Sequence, residues 1–257
     1  MDFSGKHGLV LGVANKRSIA WAIAQKASDA GAELALTFQG ERLEENVREL
    51  AETLGRPSLL LPCDVTSDEQ IAAVFAAIDQ KFGGLDFVVH GAAYAPKDAL
   101  SAPYSETTRD AFKMALDISA YSLVAMARGA APLMARRGGG SLLTLTYLGS
   151  ERVFPNYNVM GVAKAALECS VKYLAADLGA QNIRVNAVSA GPVKTLAAAG
   201  ISGFSGILQV YRERAPLKRN IDTGEVADTA LFLLGPASRG ITGEIVMVDA
   251  GFHAMGM

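Results

Sequence analysis

Short apolar runs alternate with amphipathic stretches along this chain of 257 residues, and glycines punctuate the joins. Residues 7–13 form an apolar run, and residues 18–30 follow with helical periodicity until Gly31 stops them. A second strand is predicted at 33–38, then a helix whose Leu43, Val47, Leu50 and Leu54 share one face before Gly55. Residues 59–61 lead into Cys63, Asp64 and Val65 as a third strand. Thr66 and Glu69 have the spacing of a capping box, ahead of a helix that turns Ile71, Val74, Phe75 and Ile78 to one side. The order continues with a strand at 85–90, a long helix at 110–134, a strand at 141–147, a helix at 156–179 and a strand at 183–189. Asp222 and Glu225 cap a last helix that runs to residue 234, and residues 244–249 read as a seventh strand. Strands alternating with helices predict a parallel sheet covered on both faces. Strands that are apolar rather than alternating fit burial on both sides. The expectation is an α/β chain forming one doubly wound, seven-stranded domain over residues 1–257, with no linker or repeat to mark a second.

Composition narrows the function classes. Half of the residues are hydrophobic and 19% are charged, enough apolar matter for a sizeable core and unlike a disordered chain. A net charge of −2 gives no electrostatic case for nucleic acid or an anionic membrane. The N-terminal residues lack a basic stretch followed by an apolar one, and no apolar run approaches the roughly 18 residues of a membrane span. Cys63 and Cys169 have neither metal-ligand nor redox-motif spacing, and three scattered histidines build no metal site. His90 and His253 read as structural or surface residues, and the chain as cytoplasmic.

Candidate chemistry concentrates after the fifth strand. Tyr147 closes that strand, Tyr157 follows ten residues later, and Lys164 stands seven residues beyond Tyr157. Seven residues at about 100° each make two turns on one helix face, so phenol and ammonium line up. An ammonium there is expected to lower the phenol from its ordinary pKa of roughly 10. The set suits an acid that stabilises or protonates a developing oxyanion.

The arrangement Tyr157, Met160, Lys164, with Tyr147 upstream, resembles the divergent short-chain dehydrogenase/reductases, and among them the bacterial enoyl-acyl-carrier-protein reductases. The resemblance runs from Gly5 to Phe252 and implies a Rossmann-type fold binding NADH. In the first strand-to-helix turn, Gly12, Ser18 and Ile19 match that family's longer phosphate-binding turn, where a helix N-terminus receives the pyrophosphate. Gln39, at the end of the second strand, can bond the adenosine ribose but carries no charge for a 2′-phosphate, and Glu41 would repel one. NADH is therefore expected over NADPH, with Arg42 the only residue arguing otherwise. By resemblance Asp64 and Val65 meet the adenine, Ala92 the cofactor through its backbone, and Ala95 the acyl thioester. Ala93 stands where the family has glycine, which could narrow the space. Val193, Lys194, Thr195, Leu196 and Ala197 are expected to cover the nicotinamide, within a mobile lid around residues 195–210.

The implied activity is reduction of the trans-2 double bond of an enoyl thioester on acyl carrier protein, in fatty acid elongation, by a homotetramer. Tyr157 would serve the oxyanion, Lys164 would hold the nicotinamide ribose and keep Tyr157 acidic, and Tyr147 would shape the site or assist proton delivery. Two alternatives remain at this point. One is a 3-oxoacyl or carbonyl reductase of the standard branch, for which Thr144 would replace that branch's serine. The other is a non-catalytic dinucleotide-sensing module. The lid also lacks the basic residues that would dock an acidic carrier, leaving Lys194, Arg212, Arg214, Lys218 or Arg219 for that contact.

Overall fold

A computed structural model describes residues 1–195, 198 and 203–256. Seven strands run parallel: β1 (His7–Leu11), β2 (Glu33–Phe38), β3 (Leu59–Pro62), β4 (Phe87–His90), β5 (Gly140–Thr146), β6 (Ile183–Ala190) and β7 (Ile245–Val248). Their order across the sheet is β3-β2-β1-β4-β5-β6-β7. The chain thus winds outward in one direction from β1 and then in the other from β4. Between those two strands the connections leave on opposite faces, opening the crevice where such sheets bind ligands.

Each face is sealed by its own layer. On one side α1 (Ile19–Asp29) and α2 (Glu41–Glu52) join a C-terminal helix, Thr223–Leu234, around Trp21, Ile23, Val47, Val226 and Leu233. On the other, α3 (Asp68–Phe82) packs with helices at Ser122–Arg136 and Asn158–Leu178 around Ile78, Leu123, Met126, Leu167 and Val171. Burial from both sides explains the unbroken apolar strands. Leu9, Val88 and Leu142 are fully buried in adjacent β1, β4 and β5.

Several local expectations change. The capping box expected at Thr66 and Glu69 does not form. Asp64 takes Thr66 instead, accepting from its backbone N at 2.9 Å and its Oγ1 at 2.7 Å. Ser67 caps α3, accepting from Gln70 N at 3.2 Å. A carboxylate two residues back offers a tighter local turn than a distant Glu69, and Asp64 is thereby committed to the end of β3. The box at Asp222 and Glu225 forms as expected.

The long helix expected at 110–134 is interrupted. After α4 (Lys97–Ser101), α5 (Arg109–Leu116) passes through a π turn at Asp117–Tyr121 into α6 (Ser122–Arg136). The wider turn brings in Ser119, whose Oγ accepts from Tyr94 N at 3.0 Å and donates to Tyr94 O at 3.1 Å. That clasp holds the segment after β4, and it is paid for by a local break in the 3.6-residue rhythm. Beyond it come α7 (Asn158–Leu178), α8 (Phe204–Arg214) and α9 (Thr223–Leu234). Neither α4 nor α8 was expected from the sequence. Of the lid expected around 195–210, residues 196, 197 and 199–202 lie outside the described residues.

Candidate active site

The carboxyl ends of the strands open into a cavity of about 890 Å³. Its floor is a close backbone approach. Gly12, at φ +91°, comes so near Gly91 that a β-carbon would stand 2.5 Å from the Gly91 carbonyl oxygen. Glycine is required there both for the left-handed conformation and for the space. Ser18 caps the turn from within: its Oγ accepts from Ala14 N and Asn15 N, both at 3.1 Å. Bonding in α1 begins with Ala22 N to Ser18 O. The preceding helical N–H groups, of Ile19, Ala20 and Trp21, are therefore the donors a helix start leaves without intrahelical partners. Gly12, Ser18, Ile19 and Ala20 all line the cavity, so this end has the donors and clearance that a pyrophosphate needs.

At the next strand ends, Gln39 Nε2 donates to Asp64 Oδ2 at 3.0 Å. One amide N–H is thus committed to the carboxylate, leaving the other N–H and the amide oxygen for a neighbour's hydroxyls. Asp64 is held below the ordinary carboxylate range, chiefly by the Thr66 backbone N–H, with help from the Thr66 hydroxyl and Gln39 against a modest cost of burial. Gln39, Asp64 and Val65 all stand in the wall. Glu41 and Arg42 are exposed at the start of α2, outside it. The electrostatic case against a 2′-phosphate therefore passes from Glu41 to Asp64.

The phenols meet at the opposite side. Tyr147 and Tyr157 pack edge to face, with ring centroids 5.0 Å apart, and Phe154 lies 4.9 Å from Tyr147. Tyr157 is the cap residue preceding α7 rather than part of its first turn. Lys164, one of the few buried charges at 7% exposure, donates from Nζ to the Leu145 carbonyl at 2.7 Å. Burial pulls its pKa down to about 8, opposed by the neighbouring Glu168 carboxylate. Glu168 is in turn held by Thr146, whose Oγ1 donates to it at 2.5 Å.

The expected lowering of the Tyr157 pKa is reversed. Burial pushes that phenol far up, with the Tyr147 and Glu168 oxygens adding to the shift. Tyr147 is likewise pushed up to about 12, mainly by burial. Both are neutral hydrogen-bond donors at working pH, because a desolvated phenolate is costlier here than any gain from an ammonium that faces Leu145.

Ala92, Ala93, Ala95, Val193 and Thr195 complete the wall with Tyr147, Tyr157 and Lys164. Lys194 is exposed and lies outside it. Leu196 and Ala197 fall outside the described residues. Phe154, Leu100, Ile118, Phe204 and Ile207 also line the cavity and were not singled out in the sequence. All are apolar residues whose helix or loop reaches the wall only through tertiary packing. Thr144 is fully buried, its Oγ1 2.8 Å from His90 Nδ1, while His90 Nε2 lies 2.8 Å from Ser122 Oγ. Burial drives His90 down to about 3, so it is a neutral structural bridge. Thr144 cannot present a hydroxyl to the cavity, which removes the main support for the standard-branch alternative.

Comparison with known proteins gives one answer. The family model described as enoyl-(acyl carrier protein) reductase matches residues 12–253. The chain is 56% identical over 253 residues to the enoyl-[acyl-carrier-protein] reductase [NADH] of Bacillus cereus, covering 98% of each chain. It is 54% identical to the enoyl-[acyl-carrier-protein] reductase [NADH] 1 of Rhizobium meliloti, covering 99% of this chain and 92% of that one. A crystal structure of the Bacillus cereus enoyl-acyl carrier protein reductase with NADP+ and indole naphthyridinone superposes with a TM-score of 0.97 at 55% identity, covering all of both chains. The reductase of Anaplasma phagocytophilum in complex with NAD gives 0.95 at 49% identity, over 99% of this chain and 96% of that one.

Proposed function

The chain belongs to the enoyl-(acyl carrier protein) reductase family, and from that premise we propose how its residues carry out NADH-dependent reduction of the trans-2 double bond of an enoyl thioester. The observation that carries the assignment is the pairing of two neutral, buried phenols and a buried lysine at the strand ends of a dinucleotide-sized cavity. The Gly12–Gly91 approach and the open α1 N-terminus fit the pyrophosphate, and Gln39 with Asp64 and Val65 fits the adenosine.

When bound, NADH would supply the hydride for the substrate's β-carbon. Negative charge then moves to the thioester oxygen, where Tyr157 donates a hydrogen bond without first having to lose its own proton. Tyr147, beside it, stands ready to assist proton delivery, and protonation of the α-carbon completes the saturated acyl chain. Lys164, whose ammonium donates here to the Leu145 carbonyl, would hold the nicotinamide ribose hydroxyls. Ala95 flanks the thioester, and the apolar walls at Met160, Phe204 and Ile207 exclude water from the developing charge.

The natural substrate is an enoyl group on acyl carrier protein, and the protein works in the cytoplasm as a homotetramer. Among the described residues no helix is long and apolar enough to cross a membrane. Tyr104, Phe112, Met114, Tyr121 and Tyr173 leave large apolar groups exposed, which supports burial against further subunits. The whole chain serves as one dinucleotide-binding domain, with the segment around α8 covering the substrate. Following NADH absorbance with crotonyl and longer enoyl thioesters, against an acetoacetyl thioester, tests the reaction. Turnover of the acetoacetyl compound alone would overturn it. Size-exclusion chromatography with light scattering tests the tetramer.

A further inference from the structure

Phe204, Ile207 and Tyr211 share one face of α8 at helical spacing. Phe204 and Ile207 stand in the cavity wall, whereas Tyr211 lies behind it at 2% exposure. The Tyr211 hydroxyl donates toward the Tyr147 hydroxyl oxygen at 3.4 Å. Its ring stacks on Phe252, with centroids 3.7 Å apart and planes within 16° of parallel. The tail that carries Phe252 is itself tied down. Arg152 donates to the carbonyls of His253 at 2.7 Å and Met255 at 2.9 Å, and Asp249 accepts from His253 N at 2.8 Å. Tyr211 is therefore braced from behind and linked forward to a phenol of the site.

A phenol has a single proton to donate. With Tyr211 as donor, Tyr147 is the acceptor, and the Tyr147 proton is left for the cavity. At 3.4 Å the link is longer than the roughly 2.7–2.8 Å of a settled hydroxyl pair. A shift of α8 toward Tyr147 would shorten it. Because Phe204 and Ile207 ride on the same helix, a substrate packed against them would bear on Tyr211 as well. We propose that Tyr211 is a positioning residue that couples the seating of α8 on the substrate to the aim of the Tyr147 hydroxyl. The inference rests on the enoyl reductase reading of this cavity.

Tyr211→Phe keeps the ring and its stack on Phe252 and removes only the hydroxyl. With an enoyl thioester the variant is expected to lose about 3- to 10-fold in kcat, the size of one hydrogen bond, with KM for NADH unchanged. In a Tyr147→Phe background the same change is expected to add nothing, since the acceptor is already gone. In protein with ring-carbon-labelled tyrosine, the Tyr147 resonance should shift in Tyr211→Phe without any turnover. An unchanged kcat, an unmoved Tyr147 resonance, or a loss that simply adds to that of Tyr147→Phe would overturn the link. A parent protein inactive on enoyl thioesters would instead defeat the assigned reaction, and the resonance would still decide whether the two phenols are joined.

Discussion

Gly149 lies so close to Tyr157 that a β-carbon at position 149 would stand 2.5 Å from the phenol ring. The same packing recurs one layer down, where a β-carbon on Gly161 would reach within 2.6 Å of the Gly149 carbonyl oxygen. Two glycines thus set how deeply the Tyr157 ring sinks beside Tyr147. Gly149→Ala is expected to displace the phenol and cost about 1–3 kcal/mol, the range for overpacking a core. Turnover should fall by at least about tenfold while NADH affinity, read by fluorescence titration, stays near that of the parent. A variant of normal rate would mean that the ring tolerates the shift.

Tyr157→Phe removes the donor proposed for the enolate oxygen and leaves the edge-to-face pair with Tyr147 in place. Its kcat should fall by about 10²–10⁴-fold, the usual range for a group that handles a proton or a developing charge. NADH binding should change little. Near-normal turnover would move the oxyanion contact to another group.

Lys164 has its pKa depressed from 10.5 to about 8. A lysine lowered in this way costs the folded state stability while it is charged. That cost acts in full below about pH 8 and is relieved as pH rises toward 10.5, where the unfolded chain loses its proton as well. Lys164→Met should therefore raise the melting temperature of the cofactor-free protein at pH 7, with a gain that shrinks through this window. The parent's NADH affinity should weaken above about pH 8, and the variant should bind NADH poorly at every pH. A lower melting temperature for Lys164→Met at pH 7 would show that the bond to the Leu145 carbonyl outweighs the burial.

NADH should be preferred over NADPH by at least about tenfold in kcat/KM, or roughly 1.4 kcal/mol, because a 2′-phosphate beside Gln39 would face the Asp64 carboxylate. Gln39→Arg should shift that ratio toward NADPH. Glu41→Lys should leave it nearly unchanged, since Glu41 is exposed and outside the cavity wall. A large shift from Glu41→Lys would put the carboxylate back beside the ribose.

Much of this was legible along the chain. The period of apolar residues marks each strand of the sheet and most of its helices, because both depend on which face of a local element must be buried. The Asp222–Glu225 box was readable for the same reason: its partners sit three residues apart. The spacing of Tyr147, Tyr157 and Lys164 pointed to the chemistry before any fold was in view. Reading failed where a residue had two local offers, as when Thr66 turned back to Asp64, and where a π turn broke the helical rhythm to bring Ser119 to Tyr94.

By itself, then, the sequence determined the order of the strands and most of the helices between them, the kind of fold and which groups were candidates for the chemistry, all properties of neighbours in the chain. Tertiary structure alone decided their electrical state. Tyr157 is a neutral donor and Lys164 a weakened base because strands, helices and the α8 segment jointly remove water from them. It also decided which distant groups meet. Tyr147 and Tyr211 lie 64 residues apart, and no spacing rule reaches that far. Desolvation sums over every element packed around a group, whereas periodicity records only the element that carries it.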